Sequence, residues 1–142
     1  MLIDQDHITT LIPQRAPFVM IDALEYHADG KTGTRFSIRN DNIFLRGGRL
    51  ETAALIENLA QTAAASAGYE AVLSGKKVKI GFIGAISKLQ VHGEAVAGDL
   101  LETEITQLQQ VMNVTMVSGS VRCGGKALLS GEMKIFLQPH SS

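Results

Sequence analysis

The sequence predicts an α+β fold in which one long buried helix packs against an antiparallel sheet. Three observations carry this. Residues 50–71, "LETAALIENLAQTAAASAGYEA", hold strong helix formers and no proline. The dipeptides Asp29-Gly30 and Gly124-Gly125 each stand between strand-like runs and mark tight hairpins. From residue 78 onward the chain reads as strand after strand, with apolar positions alternating.

Taken in order, Asp4 or Asp6 can N-cap a short helix that runs to Ile12 and is stopped by Pro13. "PFVMIDALEYHADG" then gives an apolar strand, a charged tail and a turn, and "KTGTRFSIRN" gives the returning strand. Residues 40–49, "NDNIFLRGGR", read as irregular. The long helix follows and is stopped at Ser74-Gly75. Leu55, Ile56, Leu59, Ala60, Ala63, Ala64 and Ala67 make it apolar on nearly every side, so it must be wrapped by other structure. One sheet covers one side, which predicts pairing with a second subunit or domain. After it, Val78, Ile80, Phe82, Leu89 and Val91 alternate, and further strands are expected near residues 100–108, 113–123 and 127–137.

The 142 residues suit a single domain spanning 1–142, and 45% hydrophobic with 19% charged residues marks a globular chain. A formal net charge of −1 and only 5% aromatics, with no Trp, argue against nucleic-acid binding. The lone Cys123 excludes an internal disulfide and suits a reducing compartment. The opening "MLIDQDHITT" has no basic-then-apolar leader, and no apolar run reaches the ~20 residues of a membrane span. A cytoplasmic protein is the expectation. His7, His27, His92 and His140 are scattered, read as solvated, and offer no metal-ligand spacing. No metal and no cofactor is called for.

The chemistry centres on Glu57, the one carboxylate between Thr52 and Tyr69. Gln61, four residues on, shares its helix face, and Asn58 adjoins that face. A carboxyl in an apolar wall has a raised pKa, which suits a general acid or base. The alternative is an ion pair with Arg15, Arg46 or Arg49, or escape to solvent. Gln61 has a second reading too, as a polar group that satisfies loop backbone. Arg46, Arg49, Lys76, Lys77 and Lys79 flank the helix ends; such charge is usually a solvated edge, and it can also receive an acidic carrier protein or a nucleotide phosphate.

These stretches resemble a known family. "LIPQRAPFVMIDAL" (11–24), "LIENLAQTAAASAG" (55–68) and "GFIGAISKLQVHGEAVAGDLL" (81–101) are similar, in order, to three motifs of the 3-hydroxyacyl-acyl-carrier-protein dehydratases. The likeness spans residues 8–137 and is greatest to the branch of aryl-polyene and related pigment pathways. It implies a hotdog fold, dimerising edge to edge with acyl tunnels at the interface. It places Glu57 on the catalytic acid and Gln61 on the glutamine that supports it. By the same analogy the Gly81–Gly84 region, with Phe82, lines the thioester channel; Gly47 and Gly48 are candidates for substrate binding through the Gly-Gly-before-helix layout of hotdog thioesterases, and Arg46, Arg49, Lys76 and Lys77 for carrier binding at the tunnel mouth. The histidine loop of the standard enzymes is missing: residues 40–57 are shorter, "IFLRGGR" has no His, and Gln14 stands where many relatives carry His. Three readings follow. The first is a 3-hydroxyacyl-carrier-protein dehydratase acting on carrier- or coenzyme-A-bound acyl thioesters, as a homodimer or with a second hotdog chain. The second is a non-catalytic acyl-binding partner. The third is a thioesterase in which Glu57 acts on the thioester carbonyl beside Gly47-Gly48.

Overall fold

The computed structural model describes residues 1–78 and 81–137, so Lys79, Ile80 and His140 lie outside it. Its spine is α1, Thr52–Leu73, 22 residues long. The helix ends where the sequence says it should. Gly75 takes a left-handed φ of +68°, Gly75 N–H bonds the Val72 carbonyl at 3.1 Å, and Lys76 N–H bonds Ala71 at 2.8 Å. This paired closure satisfies carbonyls that the helix would otherwise leave open.

Six strands form one antiparallel sheet: β1 (Ala23–Ala28), β2 (Lys31–Ser37), β5 (Gly81–Val91), β6 (Leu100–Val111), β7 (Val114–Cys123) and β8 (Lys126–Leu137), in the order β1-β2-β6-β7-β8-β5. Asp29-Gly30 and Gly124-Gly125 form two-residue turns with positive φ at both positions, pairing Ala28 with Lys31 and Cys123 with Lys126. Such turns match the twist of the strands they join. The stretch read as irregular contains a third: β3 (Leu45–Arg46) and β4 (Arg49–Leu50) pair across Gly47-Gly48, with φ of +60° and +79°. Two residues per strand give too little alternation to be seen in a sequence. The expected N-terminal helix is a single 3-10 turn, Ile8–Thr10, preceded by His7. Asp4 supports this turn with its backbone carbonyl, which accepts from His7 and Ile8.

α1 lies across one face of the sheet. Leu55, Leu59 and Ala63 meet Leu101, Ile105, Val117, Leu129 and Met133 in the main core. A second cluster, Ile8, Leu11, Ile12, Ile21, Leu24 and Ala65, seats the N-terminal segment against another side of the helix. That approach is close enough to require glycine: a Cβ on Gly68 would stand 2.3 Å from the Leu11 carbonyl oxygen.

The helix is not apolar all round, as its sequence suggested. Asn58, Thr62 and Ser66, one turn apart, face the sheet and bond hydroxyls there. Thr103 donates to Asn58, Thr34 pairs with Thr62 at 2.6 Å, and Thr32 donates to Ser66 at 2.8 Å. These polar groups are tolerated because each is partnered. The seam ends at His27, whose ring bonds Thr32 on one side and Glu70 on the other. His27 is therefore built into the fold and not solvated, whereas His7 and His92 are exposed.

The sheet's two edges differ. β1 is covered by the N-terminus: Leu2 N–H donates to Leu24 O at 2.8 Å and Leu24 N–H donates to Ile3 O at 2.9 Å. β5 is bare: ten of its eleven residues are exposed, including Phe82, Ile83, Ile86, Leu89 and Val91. The strip of α1 formed by Ile56, Glu57, Ala60, Ala64, Ala67 and Ala71 is likewise only half-covered.

A candidate active site around Glu57

Glu57 sits in the second turn of α1 and is half-buried. None of the arginines weighed as partners reaches it. Arg15 donates to the carbonyls of Ile12 and Gln14, Arg46 pairs with Glu51 at 3.1 Å, and Arg49 pairs with Glu94 at 3.2 Å. Among the described residues Glu57 has no ion-pair partner. Burial pushes its pKa up, and a hydrogen bond from Gln61 offsets part of that rise. A carboxyl whose pKa is raised holds its proton more tightly and is better suited to give it up to a departing group.

Gln61 is fully buried and held at both ends. Its Oε1 accepts from Met20 N–H at 2.6 Å and its Nε2 donates to Phe18 O at 3.0 Å. Asn58 completes the grip by donating to Met20 O at 2.7 Å. The segment 18–20 is thereby clamped on the helix by two amides three residues apart, both just after Glu57. Asn42 reaches the Met20 sulfur at 3.5 Å, which ties in the loop ahead of β3.

The other residues singled out in the sequence are spread around this centre. Gly47 and Gly48 form the tip of the β3–β4 turn, where an added Cβ would meet nothing within 4 Å. Gly48 O accepts from Ala97 N–H at 3.1 Å. Gly81, Phe82 and Gly84 lie on β5, the bare edge; Phe82 is exposed, and the Phe136 ring covers Gly84. Gly81 also lines a cavity of about 120 Å³ between the C-terminal half of α1 and the sheet, with Ala63, Ala64, Ala67, Val117 and Leu137. Arg46 and Arg49 stand before the start of α1, Lys76 and Lys77 after its end. A 22-residue helix is roughly 33 Å long, so the two basic pairs make separate patches on one chain. Gln14 Oε1 is buried and has no hydrogen-bond partner among the described residues.

Three comparisons with known proteins bear on this arrangement. The model of the ApeP-like family, described as ApeP dehydratase, matches residues 6–142. The chain belongs to the ApeP-like dehydratase family. It is 30% identical over 133 residues to the 3-hydroxyacyl-[acyl-carrier-protein] dehydratase FabZ of Clostridium kluyveri, covering 92% of each chain. The fold matches the Dehydratase Heterocomplex ApeI:P from Xenorhabdus doucetiae with a TM-score of 0.87 at 18% identity, over 93% of this chain and 91% of that one. It also matches a hypothetical thioesterase with coenzyme A from Streptococcus pneumoniae TIGR4, at 0.66 and 13%, over 84% and 88%. The hotdog architecture expected from the three motifs is therefore present, with the ApeP-like helix packed on its six-strand sheet. No helix among the described residues is long and apolar enough to cross a membrane.

Asn58 and its clamp on Met20 were not anticipated as part of the site. A signal was present: Asn58, Thr62, Ser66 and Glu70 recur every four residues, a polar line down an otherwise apolar helix.

Proposed function

We propose that this ApeP-like chain supplies the acid of a 3-hydroxyacyl-carrier-protein dehydratase whose base comes from a second hotdog chain. The observation that carries the reading is Glu57 itself: half-buried, free of any ion pair among the described residues, with a raised pKa and braced by Gln61. In the elimination, a base removes the C2 proton and the C–H electrons form the C2=C3 bond. The C3–O bond breaks, and the Glu57 carboxyl gives its proton to the departing hydroxyl, which leaves as water.

The chain's described histidines are poorly placed to be that base. His27 is bonded to Glu70, thirteen residues and about 20 Å along the helix from Glu57. His7 is bonded to Asp4, and His92 follows the end of β5 with its N–H on Leu128 O. The bare β5 edge and the half-covered strip of α1 around Glu57 give a partner both backbone hydrogen bonds and apolar surface. The likeness to the chain of an ApeI:P heterocomplex supports a partner of ApeI type. Gly81, Phe82 and Gly84 on that edge then border the thioester channel. Arg46 and Arg49, or Lys76 and Lys77, receive the acidic carrier or its phosphate.

The test is turnover of a 3-hydroxyacyl thioester by the chain alone and mixed with the ApeI-type protein of the same organism, following enoyl absorbance and free thiol together. Enoyl product from the mixture only is the expected result. Free thiol without enoyl product would replace dehydration by hydrolysis, and silence in the mixture would leave an acyl-binding or scaffold subunit.

A further inference from the structure

Met20 is the point at which three side chains from different parts of the chain converge. Its N–H goes to Gln61, its carbonyl to Asn58 and its sulfur to Asn42. Residue and partners are deeply placed: Met20, Asn58 and Gln61 each have no exposed surface. Asn58 is in turn held from the sheet, where Thr103 of β6, 3% exposed, donates to its Oδ1 at 2.5 Å. A buried asparagine is retained at some expense unless its amide is used on both sides. Here both sides are used, one on the sheet and one on the segment that fixes Gln61.

We propose that Asn58 is a positioning residue for Glu57: it anchors the Met20 carbonyl to the sheet through Thr103, and Met20 in turn fixes the amide of Gln61, which lies one helix turn from Glu57 on the same face. The proposal deepens the reading of Glu57 as the acid and rests on it for its catalytic meaning. The geometry explains why one amide would not do. Gln61 has two freely rotating side-chain bonds beyond Cβ, and its amide is aimed only if Phe18–Met20 stays still. Asn58 holds that segment at a further point, the Met20 carbonyl, at 2.7 Å, and is itself tied to the sheet through Thr103. The charged groups nearest in the chain do not substitute for this brace. Glu51 is taken by Arg46, Asp22 by Arg39 and the Ser37 N–H, and Glu104, beside Thr103, by the Tyr26 hydroxyl.

The test is the titration of the Glu57 carboxyl itself, read by carbon-13 NMR on glutamate-labelled protein in its native assembly, with E57Q to assign the signal. Asn58→Leu keeps the volume and removes both bonds; Thr103→Val removes only the sheet anchor; Thr103→Ser keeps the hydroxyl. Loss of the Gln61 hydrogen bond should move the Glu57 midpoint upward, by about one pH unit in Asn58→Leu. Thr103→Val should shift it in the same direction by less, and Thr103→Ser should restore it. Combining Asn58→Leu with Gln61→Leu should add nothing beyond Gln61→Leu alone. An unmoved midpoint in variants that lose only thermal stability would make Asn58 a packing residue and overturn the proposal. Should Asn58→Leu fail to fold, the two Thr103 variants decide. Because the signal is read without substrate, a shifted midpoint in an enzyme with no dehydratase activity would sink the functional reading and leave the positioning intact.

Discussion

Gly68→Ala sets two calculable effects against each other. In a helix interior, alanine is favoured over glycine by about 1 kcal/mol, so a solvent-facing Gly68 would gain stability from the change. The structure places the new Cβ 2.3 Å from the Leu11 carbonyl oxygen and 3.0 Å from its carbonyl carbon and Cα. These are backbone atoms, and they cannot rotate out of the way. Leu11 must retreat by about 1 Å to reach ordinary van der Waals separation. It is held by its N–H bond to Ile8 and by a cluster in which Ile8, Leu11 and Ile12 are nearly completely buried. Overpacking of this kind costs about 1–3 kcal/mol, and more where the backbone is the obstacle. The net expectation is a loss of about 1–2 kcal/mol, or a fall in Tm of about 2–8 °C for a chain of this size. The assay is thermal unfolding by circular dichroism beside chemical denaturation, so that midpoint and slope are both seen. A Gly68→Ala protein more stable than the parent would refute the close approach and with it the seating of the N-terminal segment on α1.

Other outcomes follow from the same coordinates. Burial raises the folded-state pKa of Glu57, so the native chain binds its proton more tightly than the unfolded chain. Its contribution to stability therefore falls as pH climbs from the ordinary glutamate range through the raised value. E57Q should lose that penalty, gaining stability relative to the parent as pH rises through this window, by denaturant melts at several pH values. Thr34→Val leaves the Thr62 hydroxyl short of one partner and should cost about 1 kcal/mol, while the Thr34→Val/Thr62→Val pair should cost less than the sum of the two single changes. Ile86→Asp on β5 should weaken assembly with a second chain, seen by sedimentation, and leave the unfolding free energy of the separated chain within about 0.5 kcal/mol of the parent's.

Local rules made much of this fold readable in the sequence. The helix stop at Ser74-Gly75 and the hairpins at Asp29-Gly30 and Gly124-Gly125 depend on a few adjacent residues and need no tertiary knowledge. The β3–β4 pair was missed because Leu45-Arg46 and Arg49-Leu50 are too short to alternate, although Gly47-Gly48 already marked the turn. The interior of the helix was misjudged for a different reason. Counting apolar positions emphasises Ala60, Ala63, Ala64 and Ala67, passes over Thr62 and Ser66 and marks Asn58 only as adjoining the Glu57 face, because their partners Thr34, Thr32 and Thr103 lie in strands distant in sequence. At the site, Glu57 and Gln61 stood out because a helix brings residues four apart together. The Asn58–Met20 clamp joins residues 38 apart, and only the folded chain brings them within reach.

The most direct test of the central claim is turnover by the complex with an ApeI-type partner, comparing the parent chain with E57Q. The substitution is nearly isosteric and should leave the complex assembled. Enoyl formation should fall by about 10²–10⁴-fold with no free thiol released at any stage. Undiminished enoyl formation by the E57Q complex would show that the proton donor lies elsewhere and that this chain serves the reaction only as a partner.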